Sequence, residues 1–216
     1  EREAYEAELC ATVEAEGAAL LKNENNALPL ASGAKVSLFG HGSVDLMYGG
    51  TGSGSVDTSK APSLKDALEA QGITINQTLW DLYKSDSMMS KYSRMTPASI
   101  SDTLEANTQY AVNEAPWSAL SSAESSFAEY GDAAIVVLSR SGGEGADLPS
   151  GANGTNDSWI SGQEGDGNYL ALSAEEIELL QNLKALKDNG TFKNIIVLIN
   201  SSNAIELDFL NPEICG

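Results

Sequence analysis

Histidine, cysteine and long apolar runs are scarce in this chain of 216 residues, which has one histidine and two cysteines. The cysteines, Cys10 and Cys215, lie near opposite ends, and no CxxC pair is present. Because a structural zinc site takes about four Cys or His ligands, we expect no metal site, and we expect no cofactor either. Two cysteines do not build a disulfide framework, although a single bridge between Cys10 and Cys215 stays open.

Hydrophobic segments long enough to cross a membrane are also lacking. No apolar run approaches the roughly 18 residues that indicate a transmembrane helix, and no signal peptide is present. Both ends of the chain interrupt a sequence pattern, so we expect the chain to be one part of a longer polypeptide. A leader or a membrane anchor would then lie outside this chain, which leaves the compartment undetermined.

Basic residues are few, at 12 Lys and Arg against 31 Asp and Glu, and the net charge is −19. Such a surface repels phosphate backbones and anionic membranes, so we expect no nucleic-acid partner. A neutral small molecule fits this charge better. Hydrophobic residues make up 42% of the chain, which is enough to bury a core and argues against global disorder.

Short apolar runs alternate with amphipathic segments along the chain. Runs that are apolar throughout and separated by helices predict a mainly parallel sheet flanked by helices, of about five or six strands. The fold class is therefore α/β, a flavodoxin-like sandwich, and we expect one domain over residues 1–216 with residues 1–30 as its lead-in. The predicted strands are 35–39, 73–75, 133–138 and 194–199. The predicted helices are 2–21, 63–70, 78–92, 121–130 and 173–187, the last with a capping box of Ser173 and Glu176, while 93–119 stays unassigned.

Two unusual loops leave the carboxyl ends of predicted strands. The glycine-rich loop (residues 40–59) follows the first strand, and the acidic loop (residues 139–170) follows the strand 133–138. Loops as long as the second are uncommon and are usually functional or disordered. Because ligands of open parallel sheets bind beyond the carboxyl ends of the strands, we expect the functional edge here.

The glycine-rich loop matches none of the familiar phosphate-binding motifs. A dinucleotide fingerprint would need a third glycine where Asp45 stands, and the segment 49–54 lacks the Lys-Ser/Thr ending of a phosphate loop. His41 has no nucleophile elbow to serve, so we interpret it as a structural or loop histidine. The glycines indicate either a tight turn or a close approach of the backbone to a ligand or to a second domain.

The acidic loop offers a candidate proton donor in Glu144, which has a glycine on either side. A carboxylate on a glycine-flanked loop at a carboxyl edge suits general acid work, although a merely solvated acid is the alternative. Glu164 and Asp166 belong to the same loop and are rivals for the role.

Several segments, in order, resemble the α/β domain of family-three glycoside hydrolases. Residues 16–24 (E-G-A-A-L-L-K-N-E) and the following L-P-L resemble the opening of that domain. The strand 35–39 and the G-G-T-G-S-G of residues 49–54 resemble its next segment. Further matches are the strand 133–138 with S-G-G-E-G-A-D at 141–147, residues 167–180, and N-S-S-N at 200–203. The family's usual arginine after the loop aspartate is Leu148 here.

The resemblance implies a retaining β-glucosidase-like hydrolase that acts on an oligosaccharide or a β-glucoside. In this family a separate (β/α)₈ barrel of the same polypeptide supplies the nucleophilic aspartate, and the α/β domain supplies the acid/base glutamate. Carried over by position, that glutamate is Glu144, with Glu164 as the rival register, and substrate contacts fall on Gly50, Thr51 and Asp147. The opening resembles members in which the α/β domain precedes the barrel.

Because the nucleophile would lie elsewhere, we expect this chain alone to be inactive. The alternative is a non-catalytic flavodoxin-like domain that binds a small molecule or has a structural role.

Overall fold

The computed structural model describes residues 2–50, 52–54, 56–94, 111–143 and 169–207. The chain divides into two units, Glu1–Leu30 and Ala31–Gly216. The first unit holds helix α1 (Arg2–Gly17), which carries the exposed Cys10, whereas Cys215 lies outside the described residues. After α1, the side chain of Asn23 bonds the backbone of Leu28 in both directions, which closes a turn.

The second unit is built on a parallel sheet whose four described strands have the order β2-β1-β3-β4. In register, Leu38 of β1 lies opposite Ile135 of β3, which in turn lies opposite Ile196 of β4. The predicted mainly parallel α/β sheet is confirmed. The strands are β1 (Lys35–Phe39), β2 (Thr74–Ile75), β3 (Ala133–Arg140) and β4 (Ile195–Ser201).

Helices connect these strands, with three differences from the prediction. The helix predicted over 2–21 ends at Gly17, and the helix predicted over 121–130 is a 3-10 segment that begins at Trp117. The single helix predicted over 78–92 is two helices, because Ser85 adopts an extended conformation (φ −64°, ψ 146°) between them. The Ser85 side chain accepts a hydrogen bond from the Met88 backbone and so caps the second helix. The helices are α2 (Leu64–Ala70), α3 (Gln77–Lys84), α4 (Asp86–Met89), the 3-10 segment Trp117–Tyr130 and α5 (Ala174–Asp188).

The core forms where β3 runs through the middle of the sheet, and every residue of β3 is buried. Phe39 packs edge-on against Phe127 and Phe192, with ring centroids 5.2 and 5.7 Å apart. The predicted burial of the last strand is only partly correct. Ile196 is buried but Leu198 is 37% exposed, because β4 lies at one edge of the four described strands.

Parallel order brings the carboxyl ends of β1, β3 and β4 to one edge of the sheet. The glycine-rich loop therefore starts beside the acidic loop, although 100 residues separate Gly40 from Arg140 in the sequence. This edge is where the sequence predicts the functional site.

Candidate functional site

The glycine-rich loop contacts the first residues of the acidic loop after β3, at Gly142 and Gly143. A Cβ atom built on Gly50 would lie 2.8 Å from the Gly142 carbonyl oxygen and 3.5 Å from the Gly143 Cα. Only a glycine at position 50 allows this approach of two backbones. The contact lies two residues before Glu144 in the sequence.

Two asparagines that follow or end β4 tie both loops to the sheet. The Asn203 Nδ2 donates to the Ser141 carbonyl over 2.7 Å. The Asn200 side chain accepts from the Met47 backbone nitrogen at 2.6 Å and donates to the Met47 carbonyl at 3.0 Å. Three strand ends thus hold the two loops together at the carboxyl edge.

Arg140, the last residue of β3, is fully buried and donates hydrogen bonds to the returning end of the acidic loop. Its Nε donates to the Tyr169 carbonyl at 2.8 Å, and its Nη2 donates to the Ala171 carbonyl at 2.7 Å. Its Nη1 donates to the Ser139 carbonyl at 2.9 Å. The two terminal nitrogens also form a bidentate pair with the Glu176 carboxylate, at 2.8 and 2.7 Å. All five donor positions of the guanidinium are therefore used.

Tyr169 closes the same arrangement from the returning side of the loop. Its hydroxyl accepts from the Ser141 backbone nitrogen at 3.0 Å and donates to the Ser141 carbonyl at 3.1 Å. The Arg140 guanidinium lies 5.7 Å from the centre of the Tyr169 ring. Burial raises the pKa of Tyr169, although the Arg140 charge and the hydrogen bonds to Ser141 oppose the rise. The phenol thus keeps its proton and can donate to Ser141.

A cavity of about 320 Å³ is lined mainly by the glycine-rich loop, with Arg94 and Ser141 beside it, and its volume is within the roughly 300–1,000 Å³ that ligand pockets occupy. An ion pair lines it, with the Arg94 Nη2 3.2 Å from the Asp45 Oδ2. Tyr48 is a further lining residue, and burial together with the charges of Asp45 and Asp66 raises its pKa. The other lining residues are Val44, Leu46, Met47, Gly49, Gly50, Val56, Thr58 and Ser141.

His41 lies at the start of the glycine-rich loop and is paired with a buried carboxylate. Its Nδ1 is 3.1 Å from the Glu114 Oε2, and both residues are at most 4% exposed. Glu114 also accepts hydrogen bonds from the backbone nitrogens of His41 and Ala115. Nearby, the Tyr83 hydroxyl accepts from the Gly40 backbone nitrogen at 3.1 Å. These contacts agree with the interpretation of His41 as a structural histidine.

Of the predicted site residues, only Gly50 lies in the part of the chain that the structure describes. Thr51, Glu144, Asp147 and the rivals Glu164 and Asp166 lie outside it, as does Leu148. The structure brings together described residues that flank these positions in the sequence. Gly50 contacts Gly142, and Ser141 is hydrogen-bonded to Tyr169.

Sequence reasoning missed the residues that hold the two loop ends. Arg140 carried a signal, since a cation that ends an apolar strand needs a buried partner. Its partner Glu176 was recognised only as part of a capping box. Glu114 gave no signal, because it lies in the unassigned segment 93–119.

Two features are absent from the part of the chain that the structure describes. There, His, Cys, Asp and Glu side chains form no group of three that could hold a metal ion. No described helix has the length and apolar character needed to cross a bilayer.

Comparison with known proteins places these features in a family context. Residues 18–215 match the family model described as the glycosyl hydrolase family 3 C-terminal domain. The chain is 34% identical over 146 residues to the curated Beta-glucosidase A of Butyrivibrio fibrisolvens, a match that covers 65% of this chain and 15% of that protein.

Solved structures give the same result for the fold. β-Glucosidase 3B from Thermotoga neapolitana in complex with glucose is 25% identical, with a TM-score of 0.64 over 93% of this chain and 25% of that one. A β-glucosidase from Paenibacillus barengoltzii is 24% identical, with a TM-score of 0.61 over 91% of this chain and 18% of that one. This chain therefore spans a quarter or less of the length of each of these relatives.

Proposed function

Because this chain belongs to glycoside hydrolase family 3, as the α/β domain of β-glucosidase-like enzymes, we propose that it supplies the acid/base carboxylate of a retaining β-glycosidase. The carboxylate is that of Glu144. The substrate is a terminal β-linked sugar of an oligosaccharide or a β-glucoside. The nucleophile lies on a (β/α)₈ barrel domain of the same polypeptide.

The chemistry requires two carboxyl groups on opposite sides of one glycosidic bond. In a retaining enzyme the nucleophile attacks the anomeric carbon and forms a covalent glycosyl-enzyme, with the carboxyl groups roughly 5–5.5 Å apart. Glu144 protonates the leaving oxygen in this first step. In the second step its carboxylate takes a proton from the water that attacks the anomeric carbon.

The observation that carries the proposal is the contact between Gly50 and Gly142 at the carboxyl edge of the sheet. It joins the two loops immediately before Glu144, at the edge where open parallel sheets bind ligands. The cavity beside this contact contributes polar groups from Asp45, Arg94 and Tyr48. A neutral sugar also suits a chain with a net charge of −19.

The test replaces Glu144 by alanine in the full-length enzyme and compares two kinds of substrate. General acid–base help is worth roughly 10²–10⁴-fold, so kcat/KM on a disaccharide should fall by about that factor. A glucoside with a very acidic leaving group needs no proton donor, so formation of its glycosyl-enzyme should be spared. Azide, which needs no base, should restore turnover and yield a glycosyl azide of retained configuration.

The matched control is Glu164→Ala, which removes a carboxylate from the same loop. We expect it to stay near wild type on both substrates. If Glu164→Ala alone shows the azide-rescued profile, the loop register is shifted and Glu144 is not the acid/base. If neither variant shows it, the alternative of a non-catalytic binding or structural domain is favoured.

A further inference from the structure

Arg140, Tyr169 and Glu176, with the backbone of Ser141, form a group that we call the loop clasp. It joins the outgoing end of the acidic loop, at Ser141, to its returning end, at Tyr169. Arg140, the last residue of β3, donates to the Tyr169 and Ala171 carbonyls on the returning side of the loop, and Tyr169 bonds both polar backbone groups of Ser141. Residues 144–168, which include Glu144 and Glu164, lie between these two ends.

The loop clasp fixes the directions of its hydrogen bonds, which the stability of the folded chain does not by itself require. Two apolar residues of the same volume often stabilise a core as well as a buried ion pair does. A planar guanidinium adds direction, because its five donors lie in a rigid fork. Arg140 thereby orients the Ser139, Tyr169 and Ala171 carbonyls relative to the Glu176 carboxylate.

The rate of general acid catalysis depends on how firmly the proton donor is held in position. A displacement of about 1 Å, even from a change remote from the chemistry, can lower the rate by about a hundredfold. Glu144 is only three residues beyond Ser141, with two glycines between them. Glycines contribute no side chain that could hold the segment, so the position of the carboxylate depends on how firmly its root is held.

We propose that the loop clasp is a positioning device for the acid/base carboxylate carried between residues 144 and 168. Arg140 and Tyr169 are positioning residues that act through that carboxylate and do not touch the substrate. The proposal rests on the proposed function of the loop but not on which of its two glutamates is the acid/base.

Tyr169→Phe in the full-length enzyme is the primary test. The ring stays over Arg140, no buried charge is created, and the two hydrogen bonds to Ser141 are lost. We expect kcat/KM on a disaccharide to fall by about ten- to a hundredfold. The same parameter on a substrate with a very acidic leaving group should stay within about threefold of wild type, because that reaction needs no general acid.

Tyr83→Phe is the matched control. Tyr83 is also buried, and its hydroxyl also bonds a backbone group at the carboxyl edge, but at Gly40, the first residue of the glycine-rich loop and not part of the acidic loop. A loss of packing or stability alone would affect the two tyrosine variants alike. We expect Tyr83→Phe to keep the wild-type ratio of activity on the two substrates.

Arg140→Lys provides a second variant in which Glu176 keeps a cationic partner. Lysine offers three donors on one nitrogen and cannot reach the Tyr169 and Ala171 carbonyls and the carboxylate together. We expect the same leaving-group dependence as in Tyr169→Phe, with azide restoring turnover in both. Amide hydrogen exchange on this chain should also show faster exchange at 141–143 in Tyr169→Phe than in Tyr83→Phe.

The outcomes separate the two proposals. If a glutamate variant shows the azide-rescued profile while Tyr169→Phe and Arg140→Lys lose activity equally on both substrates, the clasp is structural only and the inference is wrong. If neither Glu144→Ala nor Glu164→Ala shows that profile, the proposed function itself fails, and the positioning role fails with it.

Discussion

At the scale of single residues, the sheet edge depends on backbone approaches that exclude a side chain. Gly40 directly follows β1 with φ +80°, and a Cβ there would lie 2.7 Å from the Val137 carbonyl oxygen. A Cβ built on Gly42 would likewise lie 2.6 Å from the Ser139 Oγ. These contacts hold the start of the glycine-rich loop against β3, so the loop leaves the sheet in one direction.

Gly40→Ala should therefore destabilise the chain more than positive φ alone explains. The Gly40 backbone (φ +80°, ψ 140°) is one that residues with a Cβ rarely adopt, at a cost of about 1–3 kcal/mol. The forced contact with a backbone oxygen should add about 1–3 kcal/mol. The measurement is the free energy of unfolding by urea.

Gly72→Ala is the control, since Gly72 has φ +78° but no neighbouring atom within 4 Å of the added Cβ. It should show the conformational cost alone. Equal losses in the two variants would contradict the importance of the close approach to β3.

At the scale of secondary-structure elements, two helices begin with the same capping box in different surroundings. Ser63 and Asp66 cap α2 at the surface, whereas Ser173 and Glu176 cap α5 and are buried. In the second box the Glu176 carboxylate accepts from the Ser173 backbone nitrogen and from Arg140. The start of α5 is thus also part of the loop clasp.

Ser173→Ala should lower the free energy of unfolding by about 1–2 kcal/mol, the upper part of the range for a lost N-cap. Burial leaves the Glu176 backbone nitrogen without water as a replacement partner, which increases the cost. Chemical denaturation followed by far-UV circular dichroism provides the measurement.

The comparison is Ser63→Ala, which should cost about 0.5–1 kcal/mol because water can reach the freed nitrogen. A Ser63→Ala loss as large as that of Ser173→Ala would show that burial of the box does not matter.

At the scale of the whole molecule, the chain carries one half of the proposed chemistry. It spans 15% of Beta-glucosidase A and 25% of β-glucosidase 3B. A retaining mechanism needs a nucleophile as well as an acid/base, and the nucleophile is proposed to lie on the barrel domain. In this proposal the sheet edge, the cavity and the clasp form one wall of a site that the barrel domain completes.

The isolated chain should accordingly show no turnover of an aryl β-glucoside above background, because no glycosyl-enzyme can form without the nucleophile. The assay compares equal molar amounts of the purified chain and the full-length enzyme. Turnover by the chain comparable to that of the full enzyme would overturn the division of roles between the domains.

Much of the fold was predictable because its signals are local. The strand at 35–39 is confirmed with the same bounds, and the strands at 73–75, 133–138 and 194–199 are confirmed within about two residues. The capping box at Ser173 is also confirmed. Each signal lies within a few neighbouring residues, where hydrophobic periodicity and side-chain capping act.

Ser85 shows where local signals fail. The apolar spacing of 78–92 is continuous, so it predicts one helix. The break depends on a serine that caps a new helix by bonding the Met88 nitrogen. Serine competes for backbone hydrogen bonds in this way, but whether it does so is decided by the packing around it.

The α/β class and the family resemblance could be predicted because both are patterns along the chain. Which distant residues meet at the sheet edge depends on how the strands are arranged in space. Arg140 is hydrogen-bonded to Glu176, which lies 36 residues further along the chain. The side chain of His41 contacts Glu114, which lies 73 residues further along. The physical reason is the parallel strand order, which places carboxyl ends side by side whatever their separation in the chain. Buried charges must then take the partners that this order supplies.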